Sequence, residues 1–322
     1  MLRIATRRSP LARWQASHVA DLLRSREPGL EVVVHEVVTR GDRILEVPLA
    51  QVGGKGLFVK EIEDALLAGE AEVAVHSMKD LPAELAAGLT IGAVPEREDP
   101  RDALVAPRAG SLGGLPKGAR VGTSSLRRGA QLRALRADLR IEVVRGNVET
   151  RLRKVLGGST SLAEPSLDAV VLAQAGLRRL GLSHHATYVF PPEEMLPAVA
   201  QGALAIEARA GDGATLARLA ALEHPVTRVE VEAERGFLAR IGGSCQIPVA
   251  AHAREEGGVV RLRALVASVD GSHVVRGEQS GPAGGARKLG ELVAEELLSR
   301  GADRILREAT AQGTPLSAPQ RG

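Results

Sequence analysis

The order of local signals constrains the fold most. Across the first third of the chain, strand-like and helix-like stretches alternate. Residues 2–5 and 31–38 read as strands, 58–67 as a helix closed by Gly69, and 73–75 as a short buried strand. Ser9-Pro10 supplies an N-cap and a proline at the first helical position, and Leu11, Trp14, Val19, Leu22 and Leu23 form the apolar stripe that should bury against the sheet. A βαβαβ order of this kind predicts a mainly parallel sheet with helices on both faces.

Residues 96–100 are charged and extended, as a crossing between domains would be, and a second α/β unit follows. It has strands at 120–122, 140–144 and 169–172, with helices at 126–135 and 148–156. The stretch 157–166, rich in Gly, Ser and Pro, reads as a surface loop. After Pro225 the pattern changes to an amphipathic helix including 231–241, strands at 247–253, 259–269 and 273–279, and a last helix near 287–298. That is an α+β module, and the chain frays from about Ala311. A length of 322 residues exceeds what one core normally organises.

Composition narrows the function. Aromatic residues make up only 2%, which argues against nucleic-acid binding by base stacking. The pI is near 9.3, yet the net charge is only +3 because acidic residues are interleaved throughout. Local anion sites are expected, and no general polyanion surface. A single cysteine excludes internal disulfides and a cysteine-built zinc site, and no metal is expected. With no apolar leader visible and no run of membrane-spanning length, a cytoplasmic chain without membrane or nucleic-acid partners is expected.

Ligands of open α/β sheets bind beyond the carboxyl ends of the strands. Arg7 and Ser9 follow the first strand, Thr39, Arg40 and Asp42 the second, and His76, Ser77, Lys79 and Asp80 the third. In the second unit Thr123, Ser125, Arg127 and Arg128 follow one strand and Arg145 the next, with Arg151 one helical turn on. One Arg-Arg pair is ordinary surface charge, but cations or helix-capping hydroxyls at five strand ends point to a polyanionic ligand between the units. Asp80 stands inside this basic ring. Its sequence position leaves two roles open, salt-bridge partner to a neighbouring cation or stabiliser of a developing positive charge. Gly53-Gly54-Lys55-Gly56 lacks the Walker spacing and reads as a lid, while His76 reads as a satisfied strand-end histidine and His184-His185 as a surface turn. Cys245 lies on a turn in Gly242-Gly243-Ser244-Cys245-Gln246-Ile247-Pro248. Its small, polar flanks favour an accessible thiol.

Taken together, these segments resemble the porphobilinogen deaminase (hydroxymethylbilane synthase) family. The resemblance is carried by Arg3-Ile4-Ala5-Thr6-Arg7-Arg8-Ser9-Pro10, Val38-Thr39-Arg40-Gly41-Asp42, Gly53-Gly54-Lys55-Gly56-Leu57-Phe58 and Val75-His76-Ser77-Met78-Lys79-Asp80. It continues through Arg97-Glu98-Asp99-Pro100-Arg101-Asp102, Gly122-Thr123-Ser124-Ser125-Leu126-Arg127-Arg128, Arg145-Gly146-Asn147-Val148-Glu149-Thr150-Arg151, Leu196-Pro197-Ala198-Val199-Ala200-Gln201-Gly202 and the Cys245 loop. It spans nearly the whole chain in order.

The resemblance implies two α/β domains like the lobes of periplasmic binding proteins, plus a C-terminal α+β domain. Their expected extents are 1–96 with 203–221, 100–197, and 225–310. It implies a dipyrromethane cofactor on Cys245 through a thioether and a small-molecule substrate, porphobilinogen. Four substrate units would be condensed stepwise with loss of ammonia, then hydrolysed off as hydroxymethylbilane. By the same resemblance Asp80 is catalytic, hydrogen-bonded to a pyrrole N–H as the azafulvene cation forms. Lys79, Thr123, Ser125, Arg127, Arg128 and Arg145 would hold the cofactor, and Arg7, Ser9 and Arg151 the substrate. Phe58 would stack near the pyrroles, residues 51–57 form a lid, and the protein act as a monomer. Departures from the family pattern are modest: a longer 157–166 loop, Glu149, and Gln51 in place of a lid lysine. Two rival readings are a two-lobed polycarboxylate-binding protein and a nucleic-acid binder. The first leaves Cys245 and Asp80 without roles.

Overall fold

The computed structural model describes residues 1–39, 59–157, 167–242 and 247–311. Its elements in chain order are β1 (Leu2–Arg7), α1 (Pro10–Arg26), β2 (Val32–Val37), α2 (Lys60–Leu67), β3 (Val73–Ser77), β4 (Leu89–Ala93), β5 (Asp102–Val105), β6 (Arg120–Gly122), α3 (Leu126–Leu135), β7 (Arg140–Glu142), α4 (Val148–Leu156), β8 (Ala169–Ala173), α5 (Gln174–Arg179), β9 (Tyr188–Val189) and β10 (Leu204–Arg209). They continue with α6 (Gly213–Leu219), α7 (Pro225–Ile241), β11 (Val249–Glu256), β12 (Val259–Ala267), β13 (Val274–Pro282), α8 (Ala286–Leu297) and α9 (Asp303–Ala311).

The strands form three sheets, and the first two share one plan. The first sheet runs β2-β1-β3-β10-β4 and the second β7-β6-β8-β5-β9. In each, three strands are parallel and the fourth is antiparallel to its neighbours. That fourth strand is the one reached by a crossover: β5 as the chain enters the second unit, β10 as it returns to the first. Four of the five strands in each sheet thus run the same way, as a mainly parallel sheet requires, and the crossover strand is the antiparallel exception. The parallel βαβ cores are legible locally, whereas β4, β5, β9 and β10 join by long-range pairing. Separate apolar clusters cover the two faces of each sheet, so both are sandwiched between layers.

Local chemistry sets the helix ends. Ser9 accepts the amide of Ala12 at the start of α1, Ser125 that of Arg128 at α3, and Asn147 that of Thr150 at α4. Gly242, at φ +69°, closes α7 in the left-handed conformation. The α1 stripe differs from expectation. Ala12, Ala16, Val19, Ala20 and Leu23 are buried, while Trp14 is 36% exposed. Trp14 stacks on His18 and lies under the Arg179 guanidinium of α5, 5.8 Å from the ring centroid. Trp14 thus meets the second unit and leaves sheet burial to smaller residues.

The third sheet, β11-β12-β13, is an antiparallel meander. With α7 and α8 it encloses an aliphatic core around Val231, Phe237, Leu262 and Val293. A further helix, α9, follows the last one read from the sequence and ends at Ala311. Among the described residues no helix is long and apolar enough to cross a membrane.

Candidate functional site

The carboxyl ends of β1 and β3 border a pocket of about 70 Å³, lined by Arg7, Ser9, Val59, His76, Ser77 and Asp80. Asp80 occupies the single helical turn following β3 and is exposed. Lys79, beside it, is half-buried and reaches the returning crossover: its Nζ donates to Gln201 Oε1 at 3.3 Å. Across the seam lie the residues after β6. Thr123 is buried and its Oγ1 accepts the amide of Ser125. Ser125 caps α3, so the two arginines that follow sit in the helix's first turn.

Those arginines are not free surface charge. Arg127 donates from Nη1 to Asp102 Oδ2 at 2.7 Å and to the Leu196 carbonyl at 2.6 Å. Arg128 holds Asp102 Oδ1 through Nε at 2.9 Å and Nη2 at 2.8 Å. All three side chains are buried. Burial alone would raise the Asp102 carboxyl, but the two guanidiniums hold it well below the ordinary range. One carboxylate facing two guanidiniums leaves a net positive charge. Arg127 Nε remains buried without a hydrogen-bond partner among the described residues.

The remaining cations crowd the same seam. Burial, with repulsion from Arg128 and Arg127, lowers the Lys79 ammonium to about 8, while Asp80 and Asp102 pull the other way. Arg151 is lowered to about 10 by burial and by repulsion from Arg128 and Arg145, again opposed by Asp80. Among the described residues, cations that depress one another make the seam favourable to carboxylates. Carboxylates arriving there gain from all of them.

Lys79, Asp80, Thr123, Ser125, Arg127, Arg128, Arg145 and Arg151 therefore come together, with Arg7 and Ser9 in the pocket beside Asp80. Cys245, Phe58, the 51–57 lid, Arg40 and Asp42, and the loop from 158 to 166 lie outside the described residues. His76 is buried with its Nε2 3.0 Å from Glu207 Oε2, but neither atom makes a hydrogen bond among the described residues, so the expectation of a satisfied strand-end histidine is not met. Two residues escaped the sequence reading, although both lie in segments it quoted. They are Asp102, the counter-charge of the arginine pair, and Gln201. The only signal was their place at the two crossovers.

The family pattern described as "Porphobilinogen deaminase, dipyromethane cofactor binding domain" matches residues 2–217. That described as "Porphobilinogen deaminase, C-terminal domain" matches residues 228–299. The chain belongs to the porphobilinogen deaminase family. It is 53% identical to a porphobilinogen deaminase of Pelobacter propionicus over 307 residues, which is 95% of this chain and 96% of that one. To that of Maridesulfovibrio salexigens it is 52% identical over 305 residues, 95% and 97% of the two chains. Among solved structures, the periplasmic aliphatic sulphonate binding protein SsuA from Escherichia coli aligns at a TM-score of 0.38 and 16% identity, covering 74% of this chain and 69% of that one. As a member of the family the chain is a transferase of tetrapyrrole synthesis. It condenses porphobilinogen stepwise and uses a dipyrromethane cofactor. The two rival readings fall with that membership.

Proposed function

We propose that Asp80 is the catalytic group and that the surrounding cations sort the carboxylates of substrate and cofactor. The observation that carries this is electrostatic. One exposed carboxylate stands among Lys79 and Arg151, both depressed by burial and by neighbouring arginines. Each pyrrole unit brings an acetate and a propionate. Lys79, Arg127, Arg128, Arg145 and Arg151 offer matching charge, and Thr123 and Ser125 offer hydroxyl donors. The dipyrromethane, joined to Cys245 by a thioether, supplies the free pyrrole carbon to which the first substrate is added.

Asp80 does what arginines cannot. Loss of ammonia from porphobilinogen leaves positive charge shared onto the pyrrole N–H. A carboxylate accepting that N–H stabilises the charge where the cations would repel it. The same carboxylate takes and returns the protons of deamination and rearomatisation. Arg7 and Ser9, at the rim of the same pocket, are assigned to the incoming substrate, and Phe58 to stacking against it. Four condensations and a hydrolysis release hydroxymethylbilane. We assign the chain three domains with the extents 1–96 plus 203–221, 100–197 and 225–310, and a cytoplasmic, monomeric existence.

Intact mass and peptide mapping of purified protein test the cofactor assignment, with a two-pyrrole adduct expected on the Cys245 peptide. Asp80→Ala should keep that adduct and lose turnover by at least about 100-fold in kcat, the scale of removing one electrostatic stabiliser. Normal turnover in this variant refutes the catalytic role.

A further inference from the structure

The C-terminal unit touches the second α/β unit at the helix that carries the arginine pair. The contact is the turn between β12 and β13. Gly271, buried at its tip with φ +75°, lies hard against the backbone of α3. A Cβ there would stand 2.4 Å from the Ala130 carbonyl oxygen, 2.9 Å from the Ala134 nitrogen and 3.0 Å from the Arg133 Cβ. Glycine is required twice, by the left-handed conformation and by the close approach. From α3, Arg133 Nη1 donates to the Val269 carbonyl of the same turn at 3.0 Å.

The turn is held in shape by its own hydrogen bonds. The Gly271 amide donates to the Ser268 carbonyl at 3.0 Å, and the Ser268 amide to the His273 carbonyl at 2.8 Å. Asp270 Oδ1 accepts the amide of Ser272 at 3.1 Å and its hydroxyl at 2.9 Å. Ala130 also packs with Leu196 and with Ala250, Leu265 and Ala267 of the C-terminal sheet. Leu196 in turn is tied to α3: Gln131 donates to its carbonyl at 3.0 Å and accepts its amide at 2.9 Å.

The helix is therefore held at two places. Asp102 grips its first turn through Arg127 and Arg128. Gly271 bears on its backbone as far as Ala134, about 9 Å beyond Arg128 at 1.5 Å per residue. A helix gripped only at its first turn would be free to pivot there. The second contact fixes its angle.

We propose that Gly271 is a positioning residue for Arg127 and Arg128: through α3 it sets how the two guanidiniums meet the seam, and it does so from the unit that carries Cys245. Ala250, in the same contact, is five residues beyond Cys245 in the chain. The tether of the cofactor and the cations that receive its carboxylates thus share one rigid reference. A side chain on residue 271 would push α3 away from that reference while leaving every arginine in place in the sequence.

This inference rests on the assignments, made above, of Cys245 to the cofactor and of the arginine pair to carboxylates. The test compares holoenzymes carrying Gly271→Ala and Gly258→Ala. Gly258 lies in the neighbouring β11–β12 turn at φ +84° with nothing within 4 Å, so its variant has the backbone strain without the collision. Hydrogen exchange over 126–135 should be about tenfold faster in Gly271→Ala than in Gly258→Ala, the lower end of an overpacking penalty, with α4 as the unmoved reference. KM for porphobilinogen should rise severalfold in Gly271→Ala, more than kcat falls, and keep its wild-type value in Gly258→Ala. A purely structural contact would lower the melting temperature without that split. Arg133→Met, which removes the bond to Val269, should move both readouts the same way by less, and it decides the question if Gly271→Ala does not fold. Equal α3 exchange in the two glycine variants overturns the proposal, as does a loosened α3 with unchanged KM where Arg128→Lys raises it. Unchanged KM in Arg128→Lys would instead strike the assignment of the arginines to carboxylates, and the role of Gly271 with it, because the exchange comparison does not depend on that assignment.

Discussion

Arg97 and Glu234 meet as a two-pronged ion pair, Nη1 to Oε1 at 2.8 Å and Nη2 to Oε2 at 3.1 Å, with the carboxylate wholly buried. The same carboxylate accepts the backbone amides of Ala253 at 2.8 Å and of Ala200 at 2.5 Å. Glu234 belongs to α7, Ala253 to β11, and Arg97 and Ala200 to the two crossovers. One side chain therefore fastens the C-terminal unit to both connections between the α/β units.

Removing it should be costly. Glu234→Ala strands a buried guanidinium and two amides, and breaking a buried pair from one side costs about 3–5 kcal/mol. The urea midpoint should fall accordingly. The C-terminal unit should also unfold ahead of the rest, giving two transitions by intrinsic fluorescence and circular dichroism. An unchanged midpoint would contradict the anchoring role.

Asp102 gives a pH-dependent counterpart. Its folded carboxyl is depressed because Arg127 and Arg128 outweigh burial. A depressed carboxyl contributes stability that is complete above its unfolded pKa, about 3.9, and is lost as pH falls through the folded value. The stability difference between wild type and Asp102→Asn, of order 3 kcal/mol, should stay flat from pH 5 to 8 and shrink only in strong acid. Shrinkage already near pH 6 would show that the arginines do not hold the carboxyl down.

How far the sequence revealed the site depends on chain locality. Ser125 and the Arg127-Arg128 pair were legible because a cap and the first helical turn are written in consecutive residues. Helix ends at 126–135 and 148–156 were legible for the same reason. Asp102 and Gln201 were not, since their meaning comes from a contact between positions 99 residues apart. The antiparallel strands β5 and β10 were hidden likewise: each is a short apolar run whose partner is chosen by the crossover. Trp14 was misplaced because an amphipathic stripe does not say whether its widest residue faces its own sheet or the neighbouring unit.

Close helix packing supplies another prediction. Gly290 of α8 faces α7 so tightly that a Cβ there would stand 2.0 Å from the Ala233 carbonyl oxygen and 2.5 Å from the Phe237 nitrogen. Gly236, opposite, would meet the Arg287 carbonyl oxygen at 2.2 Å. These obstacles are backbone, so no side-chain rotation relieves them. Gly290→Ala should force the helices apart and cost about 3 kcal/mol, the upper end of overpacking. Gly284→Ala, with nothing within 4 Å, is the control and should leave the melting temperature nearly unchanged. Equal melting temperatures for the two variants would refute the close crossing.

Lys79 titrates within reach of ordinary buffers, and this gives the site a proton signature. Burial first, then Arg128, brings its ammonium from 10.5 to about 8. In the folded state it therefore gives up its proton earlier than in the unfolded chain. The unfolded state binds more protons between about pH 8 and 10.5, and in that window this group's contribution makes stability rise with pH. A carboxylate arriving beside Lys79 reverses the shift, so binding should draw in a proton. A pyrrole bearing acetate and propionate but no aminomethyl group, bound to holoenzyme at pH 8, should take up roughly half a proton, and almost none at pH 6 where the ammonium is already formed. Calorimetry in two buffers of different ionisation enthalpy measures this directly, and Lys79→Met should abolish the difference between the two pH values. Equal uptake at pH 6 and pH 8, or proton release, would mean that the carboxylates are received elsewhere in the cleft.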